Sequence, residues 1–114
     1  MPNPSTNATV QKTSIVPLLS VRNGAKAVEF YKVAFGAHEK FRLEDNGAVF
    51  AQLLVDQREL WVSDESPENK NFSPETLGGG TIRLLLVVND PDAAFERAVK
   101  AGATVIHPVS EAYG

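Results

Sequence analysis

Apolar positions in the 114-residue chain recur with two periods, and the change from one to the other marks its elements. Residues 14–21, SIVPLLSV, form a short apolar run bounded by polar residues, which suits a buried strand. Pro17 has no amide N–H to give to a ladder, so this strand is expected at a sheet edge. The period then becomes helical. Val28, Tyr31 and Phe35 fall on one face, widened by Ala27, Phe30 and Ala34. Asn23 stands where an N-cap side chain can accept from the free amides of the first turn, and Gly36 where a left-handed residue can stop the helix. Residues 38–45, 48–56 and 58–64 read as three strands. Asn46-Gly47 is a strong hairpin signal, and Asp56-Gln57 turns the chain again. The first unit therefore reads β-α-β-β-β.

Residues 65–80, ESPENKNFSPETLGGG, carry no periodicity and are rich in Pro, Asn, Ser and Gly. They read as a linker, ahead of the alternative of a lid over a site. The pattern then restarts. Residues 81–88, TIRLLLVV, suit a strand, Asp90 an N-cap and Pro91 the first helical position. Phe95, Ala98 and Val99 mark a helix face, Gly102 a stop, and 103–110 a further strand. Val21, Asn23 and Ala27 match Val88, Asp90 and Ala94 at an offset of 67. Gly36-Ala37 matches Gly102-Ala103 at 66. The chain reads as two copies of one unit, at 14–64 and 81–114, preceded by a polar, flexible arm at 1–13. The second copy stops after β-α-β. The alternative is two unrelated strand–helix units sharing the same caps and stops.

Composition narrows the function. The length is that of one domain, and 43% apolar with 22% charged residues is ordinary for a globular chain. A net charge of −3 with no Lys/Arg run gives no footprint for nucleic acid or for an anionic membrane surface. The absence of cysteine excludes disulfides, thiolate nucleophiles and Cys-based zinc sites, and fits a cytoplasmic protein. Ser20 and Ser63 have no His or Asp at the spacing of a catalytic triad. Gly78-Gly79-Gly80 precede a strand rather than a helix, so a phosphate loop is not indicated.

The stretches VRNGAKAVEFYKVAFGA, VNDPDAAFERAVKAGATVIHPV and LWVSDE resemble the vicinal oxygen chelate superfamily, which holds glyoxalases, bleomycin-resistance proteins and dioxygenases. FYKVAFGA with VSDE is most similar to its PhnB-like branch. The resemblance covers about 14–114. It implies an α+β fold in which tandem βαβββ units curl around an open, barrel-like cavity, with the second unit truncated. It also implies homodimers, and activities that include metal-dependent lyases, isomerases and dioxygenases. The family's metal ligands come from the first and last strand of each unit. Here those places hold Val16, Arg83 and, within a residue or two, Glu59, so a catalytic metal is not expected. His38 and His107 fall outside them. No other cofactor is implied.

The expected function is binding of a small, possibly anionic organic molecule, with Arg83, Trp61, Glu59 and Gln52 as ligand contacts. Alternation sets Glu59, Trp61 and Ser63 on one strand face, and Phe50, Gln52 and Leu54 on another. Trp61 can stack on a flat ligand or plug the core. Arg83 shares a face with Leu85 and Val87. It can bind an anion, pair internally with Glu59, or stand in water at a strand end. A metal-dependent enzyme of the same superfamily is the alternative. A ferredoxin-like interaction module is a third reading, which the added hairpin of unit one argues against.

Overall fold

The computed structural model describes residues 12–110, so most of the N-terminal arm and the last four residues lie outside it. The order is β1 (Leu18–Val21), α1 (Gly24–Phe35), β2 (His38–Asp45), β3 (Ala48–Val55) and β4 (Arg58–Asp64). A single 3-10 turn (Pro67–Asn69), α2 (Pro74–Leu77) and α3 (Pro91–Lys100) follow. The class is α+β, with one open four-stranded sheet in the order β1-β4-β3-β2.

Local sequence builds unit one as expected. The Asn23 side chain accepts from the Lys26 amide at 3.1 Å. Gly36 adopts φ +69° and its amide returns to the Lys32 carbonyl, closing α1. Asn46 and Gly47, at φ 52° and 85°, make the tight β2–β3 turn, and Asp56 and Gln57, at 49° and 71°, the β3–β4 turn. β1 pairs parallel with β4, Leu18 against Trp61 through Val21 against Asp64. It begins one residue after Pro17 and lies at the sheet edge, as a residue without an amide N–H requires.

One face of the sheet packs on α1. Val49, Ala51 and Leu53 of β3 meet Val62 of β4 and Val28 of α1, all nearly or wholly buried, with Ala27, Tyr31 and Val55 against them. β2 closes this side with charge. Glu39, opposite Leu53, receives Lys32 at 2.9 Å and Arg42 at 3.2 Å, and Arg42 also reaches Glu44 at 2.8 Å. The hydrogen bond from Lys32 leads the causes that hold the Glu39 carboxyl below its ordinary range.

The second unit departs from expectation. Residues 81–88 and 103–110 enter no ladder among the described residues. Unit one gives the reason. There the first strand pairs with the fourth and the second with the third, and no such partner stands beside 81–88 or 103–110 among the described residues. An extended segment without a partner is not a strand, however apolar its sequence. Its helix forms all the same. Asp90 caps α3 by accepting from the Ala93 amide at 3.1 Å, with Pro91 in the first turn. α3 rests on α1, tied by the Arg97 Nε donating to the Val33 carbonyl at 2.7 Å. The radius of gyration is 16.4 Å, against the ~13 Å usual at this length.

The connection at 65–80 is more ordered than its composition indicates. The Glu65 carboxylate accepts from the Ser73 amide at 2.8 Å and the Thr76 hydroxyl at 2.9 Å, and Ser73 caps α2. The Ser73 amide leads the causes that lower the Glu65 carboxyl below its ordinary range. A lowered folded value means the contribution is present above the unfolded value and lost as pH falls through the folded one. The Ser73 amide resonance is therefore expected to hold steady at neutral pH and to move only in acid, below the ordinary glutamate range. Glu65→Gln should abolish that movement in an NMR titration.

Candidate aromatic face of the sheet

Among the described residues the sheet face turned away from α1 is left open, and its residues are set by strand register. Phe41 of β2, Gln52 of β3, Trp61 of β4 and Leu18 of β1 stand in one cross-strand row. Leu43, Phe50, Ser63 and Ser20 make the next row. His38, Leu54 and Glu59 make the row on the other side. The rings of Phe41 and Phe50 approach Trp61 with centroids 6.2 and 5.2 Å away. The indole N–H of Trp61 donates to Glu59 Oε1 at 3.0 Å, which fixes the ring and gives the carboxylate a defined place at its edge.

A bulge at Glu39–Phe41 makes this face apolar. The extra residue turns Glu39 towards α1 and Phe41 and Leu43 outward. Phe41 is 43% and Leu43 55% exposed, so the bulge spends apolar surface on the open side instead of the core. Apolar rings around a few convergent polar groups are the usual composition of a small-molecule site.

Three of the four residues expected at the site thus share one face: Trp61, Glu59 and Gln52. Arg83 does not join them. It is exposed on 81–88 and forms no ion pair among the described residues. The internal Arg83–Glu59 pair is replaced by the Glu59–Trp61 hydrogen bond. Trp61 is half-buried and does not plug the core. Phe41 and Leu43 are the contributions that simple alternation does not reveal.

A second concavity, about 940 Å³, lies on the helix side. Leu19, Phe30, Tyr31, Phe35 and Leu60 form one wall and residues 84–88 the other. Phe30 meets Tyr31 and Phe35 edge-on, and burial raises the Tyr31 phenol above its usual range.

The metal centre of this class of fold does not fit the side chains present. Val16 offers no donor, Arg83 is a cation, and Glu59 is engaged by the indole. No group of three or more His, Cys, Asp or Glu comes together among the described residues. Nor is any described helix long and apolar enough to cross a membrane.

Comparison with known proteins agrees with this architecture. Uncharacterised proteins of Mycobacterium bovis and Mycobacterium tuberculosis are 36% identical to the chain over 98 residues, 82% of its length. The match spans 64% and 58% of those proteins, so the chain accounts for under two thirds of their length. Among solved structures, an Arabidopsis thaliana gene product superposes with a TM-score of 0.67 at 30% identity, covering 91% of this chain and 82% of that one. TioX from Micromonospora gives 0.61 at 24% identity, covering 90% and 81%. The fosfomycin resistance protein FosX from Listeria monocytogenes, complexed with Mn(II) and sulfate, gives 0.55 at 16%, covering 84% and 75%. These last two likenesses are of fold alone. The family model of the glyoxalase/bleomycin resistance protein/dioxygenase superfamily matches residues 13–114, and the chain belongs to that superfamily.

Proposed function

We propose that the aromatic face binds a small, flat organic molecule, without a catalytic metal. The observation that carries this reading is the uncovered row of Phe41, Gln52 and Trp61, with Phe50 beside the indole and Glu59 fixed at its edge. Rings supply stacking area, worth roughly 0.5–1.5 kcal/mol per aromatic pair beyond area burial. Gln52 offers both a donor and an acceptor to orient the ligand. The carboxylate of Glu59 can accept from a ligand donor at the ring edge.

Trp61 is the only tryptophan, so its fluorescence reports the face directly. Titration with benzamide, benzoate and larger bicyclic analogues is expected to quench it saturably. Phe41→Ala should weaken the best ligand about tenfold, the loss of one stacking partner. Absence of saturable quenching across such a series would overturn the reading, as would one divalent ion per chain in natively purified protein. An anionic ligand is the finer part of the proposal and rests on Arg83, which the fold leaves outside the face. A preference for benzoate over benzamide that survives Arg83→Ala would remove Arg83 from it.

A further inference from the structure

Strand register fixes the charge of the aromatic face. The strand positions that share it with Trp61 carry the carboxylates of Glu59 and Asp45, with His38 at one end, and no lysine or arginine. Arg42 and Arg58 alternate to the helix side, where Arg42 is already paired with Glu39 and Glu44. Lys40, which the bulge leaves without a cross-strand partner, stands on β2, two strands and so about 10 Å from β4. Glu59 is exposed and makes no ion pair among the described residues. Its Oε1 accepts from the indole N–H, and its Oε2 accepts from no group among the described residues. A carboxylate can accept at both oxygens, so one is left for a ligand. The rings act with the same sign. The face of an aromatic ring attracts cations, and indole does so most strongly. Phe50 and Phe41 flank that indole, so a cation beside Glu59 has aromatic surface within reach as well as a carboxylate.

We infer that the occupant of this face is an organic cation, a small aromatic amine or amidine whose protonated N–H group donates to Glu59 Oε2 while its ring lies against Trp61. The inference rests on the reading that the face binds a flat molecule, and it gives that molecule its charge. Glu59 becomes the residue that selects the ligand, and the sign is opposite to the one that Arg83 suggested. A charge-assisted hydrogen bond is roughly twice as strong as a neutral one, whereas an anion brought to the same place meets like charge. A bare metal ion does not fit, because a single exposed carboxylate is not a ligand set and no group of three or more His, Cys, Asp or Glu forms among the described residues.

Benzamidine, benzamide and benzoate have nearly one shape and are positive, neutral and negative at neutral pH. Saturable quenching of Trp61 in the full chain at low salt gives a Kd for each. Benzamidine is expected to bind about tenfold more tightly than benzamide, or about 1.4 kcal/mol, with benzoate weakest. Added salt should narrow that ratio, because exposed charges are screened beyond about 10 Å at 0.1 M. Glu59→Gln keeps an acceptor for the indole N–H and removes the charge, and should bring the ratio close to one. Benzamide or benzoate binding as tightly as benzamidine would overturn this inference and leave the flat-ligand reading standing. Saturable quenching by none of the three, nor by larger bicyclic analogues, would overturn both. A preference for benzamidine that survives Glu59→Gln would overturn the inference as well, since the selection would then not lie with this carboxylate.

Discussion

Asp64→Ala is expected to destabilise the fold by about 3 kcal/mol, because one side chain joins three elements. Asp64 ends β4. Its Oδ1 accepts from the Gly24 amide, the first residue of α1, at 2.9 Å, and its Oδ2 from the Val49 amide of β3 at 2.7 Å. Both amides are part-buried, and each loses its acceptor when the carboxylate goes. An unsatisfied buried donor costs about 1–3 kcal/mol. For a domain of this size the melting temperature should fall by roughly 10–20 °C. Asp64→Asn keeps one acceptor oxygen and is expected to lose about half as much. The same lock explains Gly24. A Cβ there would stand 2.5 Å from Asp64 Oδ2 and 3.0 Å from the Val49 Cβ, so Gly24→Ala must break the carboxylate's contacts or move the helix. Denaturant midpoints of the three variants measure this directly. A loss under about 1 kcal/mol for Asp64→Ala would mean that water replaces the carboxylate at both amides.

What was legible in the sequence depended on how local the physics is. Caps and turns are decided within four residues, so Asn23, Gly36, Asn46-Gly47 and Asp90 all act as their chemistry indicates. Residue parity also survives, and Trp61, Glu59 and Gln52 meet on one face. Pairing is different in kind. Residues 81–88 have a strand's composition and enter no ladder among the described residues, because the partner of a strand is not encoded in the strand. The bulge at Glu39–Phe41 was hidden as well. It reverses which side of β2 carries charge, and nothing in HEKFRLED marks the residue left unpaired. The Glu65 clamp was obscured by the composition of 65–80, where a carboxylate reaches eight residues along the chain to the Ser73 amide.

The division of the sheet into a core face and an open face has an energetic consequence at two adjacent residues. Leu53 is fully buried between α1 and the neighbouring strands, whereas Leu54 points to the open side and is half-buried. Leu53→Ala removes buried methyl groups and leaves a cavity that close-packed Val28, Ala51 and Val62 cannot fill, so a loss of about 3 kcal/mol is expected. Leu54→Ala removes the same atoms from a surface that water already reaches, and should cost under about 1 kcal/mol. The two variants share chemistry, strand and propensity, so their difference isolates burial. A protein whose open face binds a ligand must leave that face uncovered when empty, and equilibrium unfolding of the pair measures this without knowing the ligand. Equal losses at Leu53 and Leu54 would mean that another surface covers the Trp61 face in solution. A small molecule would then have to displace it, and the binding proposal would fail on energetic grounds.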